Sequence, residues 1–117
     1  MKTILVIEAQ ALLQHTITLV AEELDLKTYT ISSETLDTLF FQNLMPDLII
    51  LNPNSYPGGT QSFLDLYHGL EAPMKAPMWI IGSGDEYSDS SAFSKCWSLP
   101  ISPEKIKNDL CQLFPSN

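Results

Sequence analysis

The chain has 117 residues, which is enough for one domain and too few for two. With 44% hydrophobic and 17% charged residues, its composition is that of a globular protein, so intrinsic disorder is not expected. Fourteen acidic residues stand against six lysines, arginine is absent and the net charge is −8, a balance that excludes nucleic acid and anionic membrane surfaces as expected partners.

Apolar residues recur along the chain with the periods of strands and helices. Short β-branched runs are typical of buried strands, and apolar residues three or four positions apart predict helices. In chain order, the predicted elements are a strand at Thr3–Ile7, a helix at Ala11–Leu24, a strand at Lys27–Ile31, a helix capped by Ser32 or Ser33 with Leu36, Leu39 and Phe40 on one stripe, a strand at Leu48–Leu51, a helix at Gln61–Leu70, a strand at Met78–Ile81, a short strand at Cys96–Ser98 and a helix after Ser102 with Ile106, Leu110 and Leu113 on one stripe.

This alternation predicts a five-stranded doubly wound parallel sheet, with Lys27–Ile31 at an edge. The polar, acidic stretch 82–94 predicts at most a weak helix near its end. Ligands of such sheets bind beyond the carboxyl ends of the strands. We therefore expect any site at Glu8–Gln10, Asn52–Asn54, Gly82–Gly84 and Leu99–Pro100.

Neither the two cysteines nor the two histidines indicate a metal site. Cys96 and Cys111 form no metal-like cluster, and without an export signal we expect inert thiols in a reducing cytoplasm. His15 and His68 lie on separate predicted helices with no ligand at suitable spacing. We expect no metal, no cofactor and, since no catalytic constellation is visible, no enzymatic activity.

Four segments carry a resemblance to a known family. They are Ile4–Ala9, the run Pro46–Asn52 with its "PDLIIL", Pro77–Ser83 and Ser98–Pro100. In order and spacing they resemble a response-regulator receiver domain across essentially the whole chain. The resemblance implies a flavodoxin-like fold, a single domain over 1–117, a cis Leu99–Pro100 bond and a role in bacterial two-component signalling.

The chain departs from the family at the positions that carry chemistry. Glu8 keeps the first acid of the phosphorylation pocket, but Ala9 stands where the family has its main metal ligand. Asn52 replaces the phosphoacceptor aspartate, and Leu99 replaces the lysine that pairs with the phosphoryl group. The family's hydroxyl residue falls at Gly82, with Ser83 one place further on, and its switch aromatic falls at Cys96; Pro100 is retained.

These departures predict a degenerate receiver. An amide is a poor nucleophile, one carboxylate is a weak Mg²⁺ site, and leucine cannot neutralise a phosphoryl group. Three roles for Glu8 stay open: a relic acid at a solvated strand tip, a hydrogen-bond anchor for the Asn52 amide, or a weak cation ligand.

The segment between Gly82 and Leu99 is shorter than receivers usually have, which predicts a shortened or missing fourth helix. In the family this helix, the fifth strand and the fifth helix form the usual partner face. The expected contact residues here are Cys96, Trp97, Ser98, Glu104, Lys105 and Asn108. Trp97 is either core or an interface anchor.

The resemblance thus implies a phosphorylation-independent signalling or scaffold module. Its partner would be a protein, either a histidine kinase or another signalling protein. The alternative is a sensor in which a small apolar molecule, such as a quinone, binds near Trp97.

Overall fold

A five-stranded, all-parallel sheet forms the centre of the computed structural model, which describes residues 2–32, 34–82 and 93–115. The strands are β1 (Thr3–Ile7), β2 (Lys27–Ile31), β3 (Leu48–Leu51), β4 (Met78–Ile81) and β5 (Phe93–Trp97). Their spatial order is β2-β1-β3-β4-β5, so β1 and β3 lie side by side and their carboxyl ends meet. This order brings Glu8 and Asn52, one residue past each strand, to the same edge of the sheet.

Helices cover both faces of the sheet. In the described part of the chain they are α1 (Ala11–Glu23), α2 (Thr38–Leu44), α3 (Gly59–His68) and α4 (Pro103–Leu113), with 3₁₀ turns at Pro53–Ser55 and Ala72–Met74. Successive strand residues point to opposite faces. Ile4 and Val6 therefore pack with α1 and α4, while Leu5 and Ile7 pack with α2 and α3.

The predicted fold class is confirmed, and four strands have the predicted bounds. The fifth strand spans Phe93–Trp97, so it begins earlier than predicted, and Ser98, predicted within it, lies just beyond its end. Ser94 and Lys95 interrupt the apolar run expected of a buried strand. The third helix spans Gly59–His68, so Leu70, predicted within it, lies just beyond its end.

The prediction for the second helix was wrong in its start and in its buried face. The helix begins at Thr38, because the Asp37 side chain accepts a hydrogen bond from the Phe40 backbone N–H at 2.9 Å and caps it. Phe41 is its buried residue, whereas Leu39 is 60% exposed. Met45 ends the helix in the left-handed conformation, at φ 49°.

The connection between β4 and β5 runs only from residue 82 to residue 92 and is the shortest crossover in the sheet. The shortened or missing fourth helix was predicted here, and residues 83–92 lie outside the described part. Within that part, no helix is long and apolar enough to span a membrane.

Candidate functional site

The carboxylate of Glu8 is the centre of a buried polar cluster at the carboxyl ends of β1 and β3. Glu8 is 1% exposed. Its carboxylate accepts hydrogen bonds from Asn52 Nδ2 at 2.9 and 3.2 Å and from the Ser55 hydroxyl at 3.1 Å. The Gln10 backbone N–H donates a fourth, at 3.1 Å. We call Glu8, Asn52 and Ser55 the Glu8 pocket.

The local backbone after β3 explains how Asn52 and Ser55 reach Glu8. The Asn52 N–H donates to the Ile7 carbonyl at 2.8 Å, which continues the β1–β3 ladder by one residue. Asn52 Oδ1 accepts from the Asn54 N–H at 3.1 Å and so caps the 3₁₀ turn that Pro53 begins. The same amide group therefore caps the turn and donates to Glu8, which fixes its orientation.

Ser55 closes the pocket from the other side. Its hydroxyl donates to Glu8 and accepts from the Ala9 backbone N–H at 2.9 Å. Sequence reasoning missed Ser55, although the Asn-Pro-Asn-Ser pattern is a signal for a capped turn that could have drawn attention to it. Ala9 contributes only its backbone to this cluster.

Gln14, at the start of α1, adds a second contact that sequence reasoning missed. Its Nε2 donates to the Glu8 backbone carbonyl and to the Ser32 hydroxyl. The side chain thus ties α1 to the tip of β1 and to the residue after β2.

The geometry answers the question left open about Glu8. The interpretation of Glu8 as a relic acid at a solvated strand tip is wrong, because the side chain is buried and accepts four hydrogen bonds. A hydrogen-bond anchor for the Asn52 amide is what the structure shows. The groups that face the carboxylate are N–H and O–H donors, which compete with a cation for the same oxygen lone pairs.

The other predicted pocket residues lie apart from this network. Leu99 is 51% exposed, Pro100 is exposed and the bond between them is cis, as the resemblance implied. Gly82 donates its N–H to the Trp97 carbonyl at 2.9 Å. Among the described residues, no hydrogen bond joins Gly82, Leu99 or Pro100 to Glu8 or Asn52. Ser83 lies outside the described residues.

Comparison with known proteins identifies the fold. No protein-family model matches the sequence, and a search of curated proteins finds no match. Among solved structures, a response regulator from Thermotoga maritima aligns over 98% of both chains with a TM-score of 0.76 and 10% identity. The chain has the receiver-domain fold.

Two further structures with this fold are similar at comparable levels. The receiver domain of a sensor histidine kinase from Pseudomonas aeruginosa, solved with a magnesium ion in its active-site cleft, covers 98% of both chains with a TM-score of 0.75 and 14% identity. A receiver-modulated diguanylate cyclase from Pelobacter carbinolicus has a TM-score of 0.71 and 15% identity over 97% of this chain and 92% of that one.

Within this receiver fold, Trp97 is a core residue. It is 1% exposed and packs edge-to-face against Trp79 with ring centroids 5.3 Å apart. Its indole N–H donates to Asp109 Oδ2 at 2.7 Å. The expectation that Trp97 contacts a partner is corrected, because the hydrogen bond holds the ring inward, between β5 and α4.

Asp109 is a buried acid that the sequence analysis did not single out. It is 3% exposed and its Oδ1 accepts from Lys95 Nζ and Lys105 Nζ, both at 3.2 Å. Burial, the largest single influence, raises the pKa of Asp109, but the bonds from Trp97, Lys105 and Lys95 outweigh it. The pKa therefore lies below its ordinary value and Asp109 is ionised at neutral pH.

The remaining predicted contact residues lie at the surface. Cys96, Ser98, Glu104, Lys105 and Asn108 are all exposed. A groove runs between the end of β5 and the start of α4, and Trp97 is one of the residues that line it. Cys96, Ser98 and Lys105 border this groove. We call the surface of the five residues the β5–α4 face, and its role in partner contact stays a prediction.

Proposed function

We propose that this chain is a degenerate receiver that signals by contact with a protein partner and does not depend on phosphorylation. The observation that carries the proposal is the closed Glu8 pocket. The carboxylate that would serve phosphoryl chemistry already accepts hydrogen bonds from Asn52, Ser55 and the Gln10 backbone. We also propose that the domain spans 1–117, works in the cytoplasm and has no enzymatic activity.

The residue at the phosphoacceptor position supports the first part of the proposal. An amide nitrogen shares its lone pair with the carbonyl, so it is a poor nucleophile. The Asn52 amide also has both ends engaged, with Nδ2 on Glu8 and Oδ1 on the Asn54 backbone. Forming an acyl phosphate would require both an aspartate and the release of these bonds.

The residues present do not fit a magnesium ion. Mg²⁺ is held by carboxylates, water and phosphate oxygens in near-octahedral geometry. Here Glu8 is the pocket's carboxylate, the Ala9 side chain offers no ligand atom, and amide and hydroxyl hydrogens point at the Glu8 oxygens. No cluster of three potential metal-binding side chains occurs among the described residues.

Without a phosphoryl group, the partner must bind the conformation that is already present. A shift between two conformations requires a ligand that interacts differently with them. Gly82 has no hydroxyl and Leu99 has no positive charge with which to contact a phosphoryl group. We propose that a histidine kinase or another signalling protein binds the β5–α4 face constitutively. The Trp97–Asp109 hydrogen bond joins β5 to α4 behind that face.

Incubation with acetyl phosphate and Mg²⁺ tests phosphorylation independence. We expect intact-mass measurement to detect no added phosphate on the natural chain or on Asn52→Asp. Adding Ala9→Asp and Leu99→Lys to Asn52→Asp is the matched positive variant, in which phosphorylation is expected. A hydroxylamine-labile phosphate on the natural chain would refute the proposal, and stoichiometric modification of the single variant would refute its account of the metal and lysine positions.

A sensor for a small apolar molecule is the second candidate. The groove on the β5–α4 face, which borders Trp97, favours it. Titration with a soluble quinone should then quench tryptophan fluorescence with saturation, and Ile101→Ser in the groove should weaken the effect. Linear quenching that is the same in both proteins would exclude this candidate.

A further inference from the structure

β2 forms one of the two outer edges of the sheet. β2 ends the sheet, and among the described residues β1 is its neighbour on one side with no strand on the other. The Lys27 N–H and the Ile31 carbonyl both bond toward β1. Successive residues of a parallel strand direct their backbone N–H and C=O groups to alternate sides of the strand. Those of Thr28 and Thr30 therefore point to the open edge.

An apolar patch lies next to this edge, on the α2 face of the sheet. Tyr29 is 46% exposed and packs edge-to-face against Phe40, with ring centroids 5.6 Å apart. A groove runs between β2 and the segment leading into α2, bounded by Tyr29, Thr30, Thr35 and Phe40. A half-exposed aromatic side chain beside the open backbone edge of a strand is typical of a surface to which a further strand can add.

The charge around the groove decides what can occupy it. Glu34 and Asp37 line it, and the chain as a whole carries −8. A second copy of the chain would bring the same two acids and the same net charge to the contact, which opposes self-pairing. An extended segment with basic side chains is complementary to the groove.

We propose that the β2 edge binds an extended, basic segment of a protein partner, which adds to the sheet as a sixth strand. Backbone bonds to Thr28 and Thr30 would supply affinity, as in other cases of strand addition. An apolar side chain of the segment would lie against Tyr29 and Phe40, and a basic one near Glu34. This surface lies at the opposite end of the sheet from the β5–α4 face, so it is independent of the proposed function.

A peptide titration followed by amide NMR tests the proposal. The probe is the acetylated, amidated hexapeptide Lys-Thr-Val-Thr-Lys-Thr, whose two lysines and valine lie on one face of a strand. Its controls carry glutamate in place of lysine or N-methyl groups on alternate residues. We expect the basic peptide to shift the Thr28 and Thr30 amides and to bind roughly tenfold more tightly than the acidic one, because two charge pairs change sign. N-methylation should abolish binding.

Two variants separate edge pairing from general attraction. Thr30→Pro removes an outward N–H and leaves the β1 ladder intact, so the fold should persist while peptide binding is lost. Glu34→Gln should weaken binding, whereas Glu71→Gln, an exposed acid elsewhere, should not. Shifts away from β2, binding by Thr30→Pro equal to that of the natural chain, or no binding at millimolar peptide would overturn the proposal. Concentration-dependent dimerisation through β2 would also do so.

Discussion

The difference between Asn52 and an aspartate is one functional group, yet it determines the chemistry of the pocket. An amide presents two N–H donors to the Glu8 carboxylate, and both Glu8 oxygens lie within 3.2 Å of Nδ2. A carboxylate at the same place would set like charges against each other in a buried site, a pair that resists joint ionisation. The amide therefore donates hydrogen bonds to Glu8 where a carboxylate would repel it.

Ser55 gives the first prediction at this scale. Ser55→Ala removes the donor to Glu8 and the acceptor for the Ala9 N–H, both in a buried environment. Leaving such groups unpaired should lower the free energy of unfolding by about 1–3 kcal/mol. Urea denaturation measures the change, with Ser98→Ala at the exposed surface as a control expected within about 0.5 kcal/mol. Equal stability of both variants would contradict the closed pocket.

At the scale of elements, one carboxylate joins the last strand to the last helix. Asp109 of α4 accepts from Trp97 and Lys95 of β5 and from Lys105 one turn earlier in its own helix. Lys95 also lies over the Trp79 ring, 5.5 Å from its centroid. The polar contacts and the packing of the two tryptophans thus hold α4 against the edge of the sheet.

Asp109→Asn is predicted to show the contribution of this cluster and its pH dependence. The substitution weakens bonds to charged donors, so we expect a loss of about 1.5–3 kcal/mol at neutral pH. Because the folded pKa of Asp109 lies below its ordinary value of 3.8, the stabilisation is present above that value and is lost as the pH falls through the folded pKa.

The two proteins should therefore differ in stability at pH 7 and converge below about pH 4. Denaturant titrations across this range measure the difference. Glu23→Gln is the matched control, because its ion pair with Lys107 is solvent-exposed on both sides and should contribute less than about 0.5 kcal/mol. If the difference in unfolding free energy between Asp109→Asn and the natural chain stayed constant down to low pH, ionised Asp109 would not be its source.

At the scale of the whole molecule, one sheet separates two hydrophobic cores. Both tryptophans lie in the core on the α1 and α4 side, while Phe63 lies in the core on the α2 and α3 side. The strands are common to both cores, since alternate residues of each strand face opposite sides. The domain should therefore unfold as one cooperative unit.

Phe63→Ala tests this cooperativity. Phe63 is fully buried, and its truncation should cost about 3–5 kcal/mol of stability. Tryptophan fluorescence reports on the opposite core, so its urea midpoint should fall together with the midpoint measured by far-ultraviolet circular dichroism. A fluorescence midpoint that stays unchanged would show that the two faces unfold separately.

The amino-acid sequence alone is enough to predict the sheet and to predict that the site is degenerate. Runs such as Leu48–Leu51 are apolar throughout, so they specify buried strands whatever surrounds them. The covalent structure of three side chains is known before the fold: Ala9 has no metal-binding atom in its side chain, Asn52 has no nucleophilic carboxylate and Leu99 has no charge. These features are local, and local features can be predicted from one chain.

Tertiary structure decided the features that join distant parts of the chain. Glu8 and Ser55 are separated by 47 positions, and their contact forms only when β1 and β3 pair. From the sequence, Trp97 could be either a core or an interface residue. In the structure its indole N–H donates to the buried Asp109, which places it in the core. Burial of a polar or aromatic side chain depends on partners that other elements supply, and residue type and local spacing do not specify those partners.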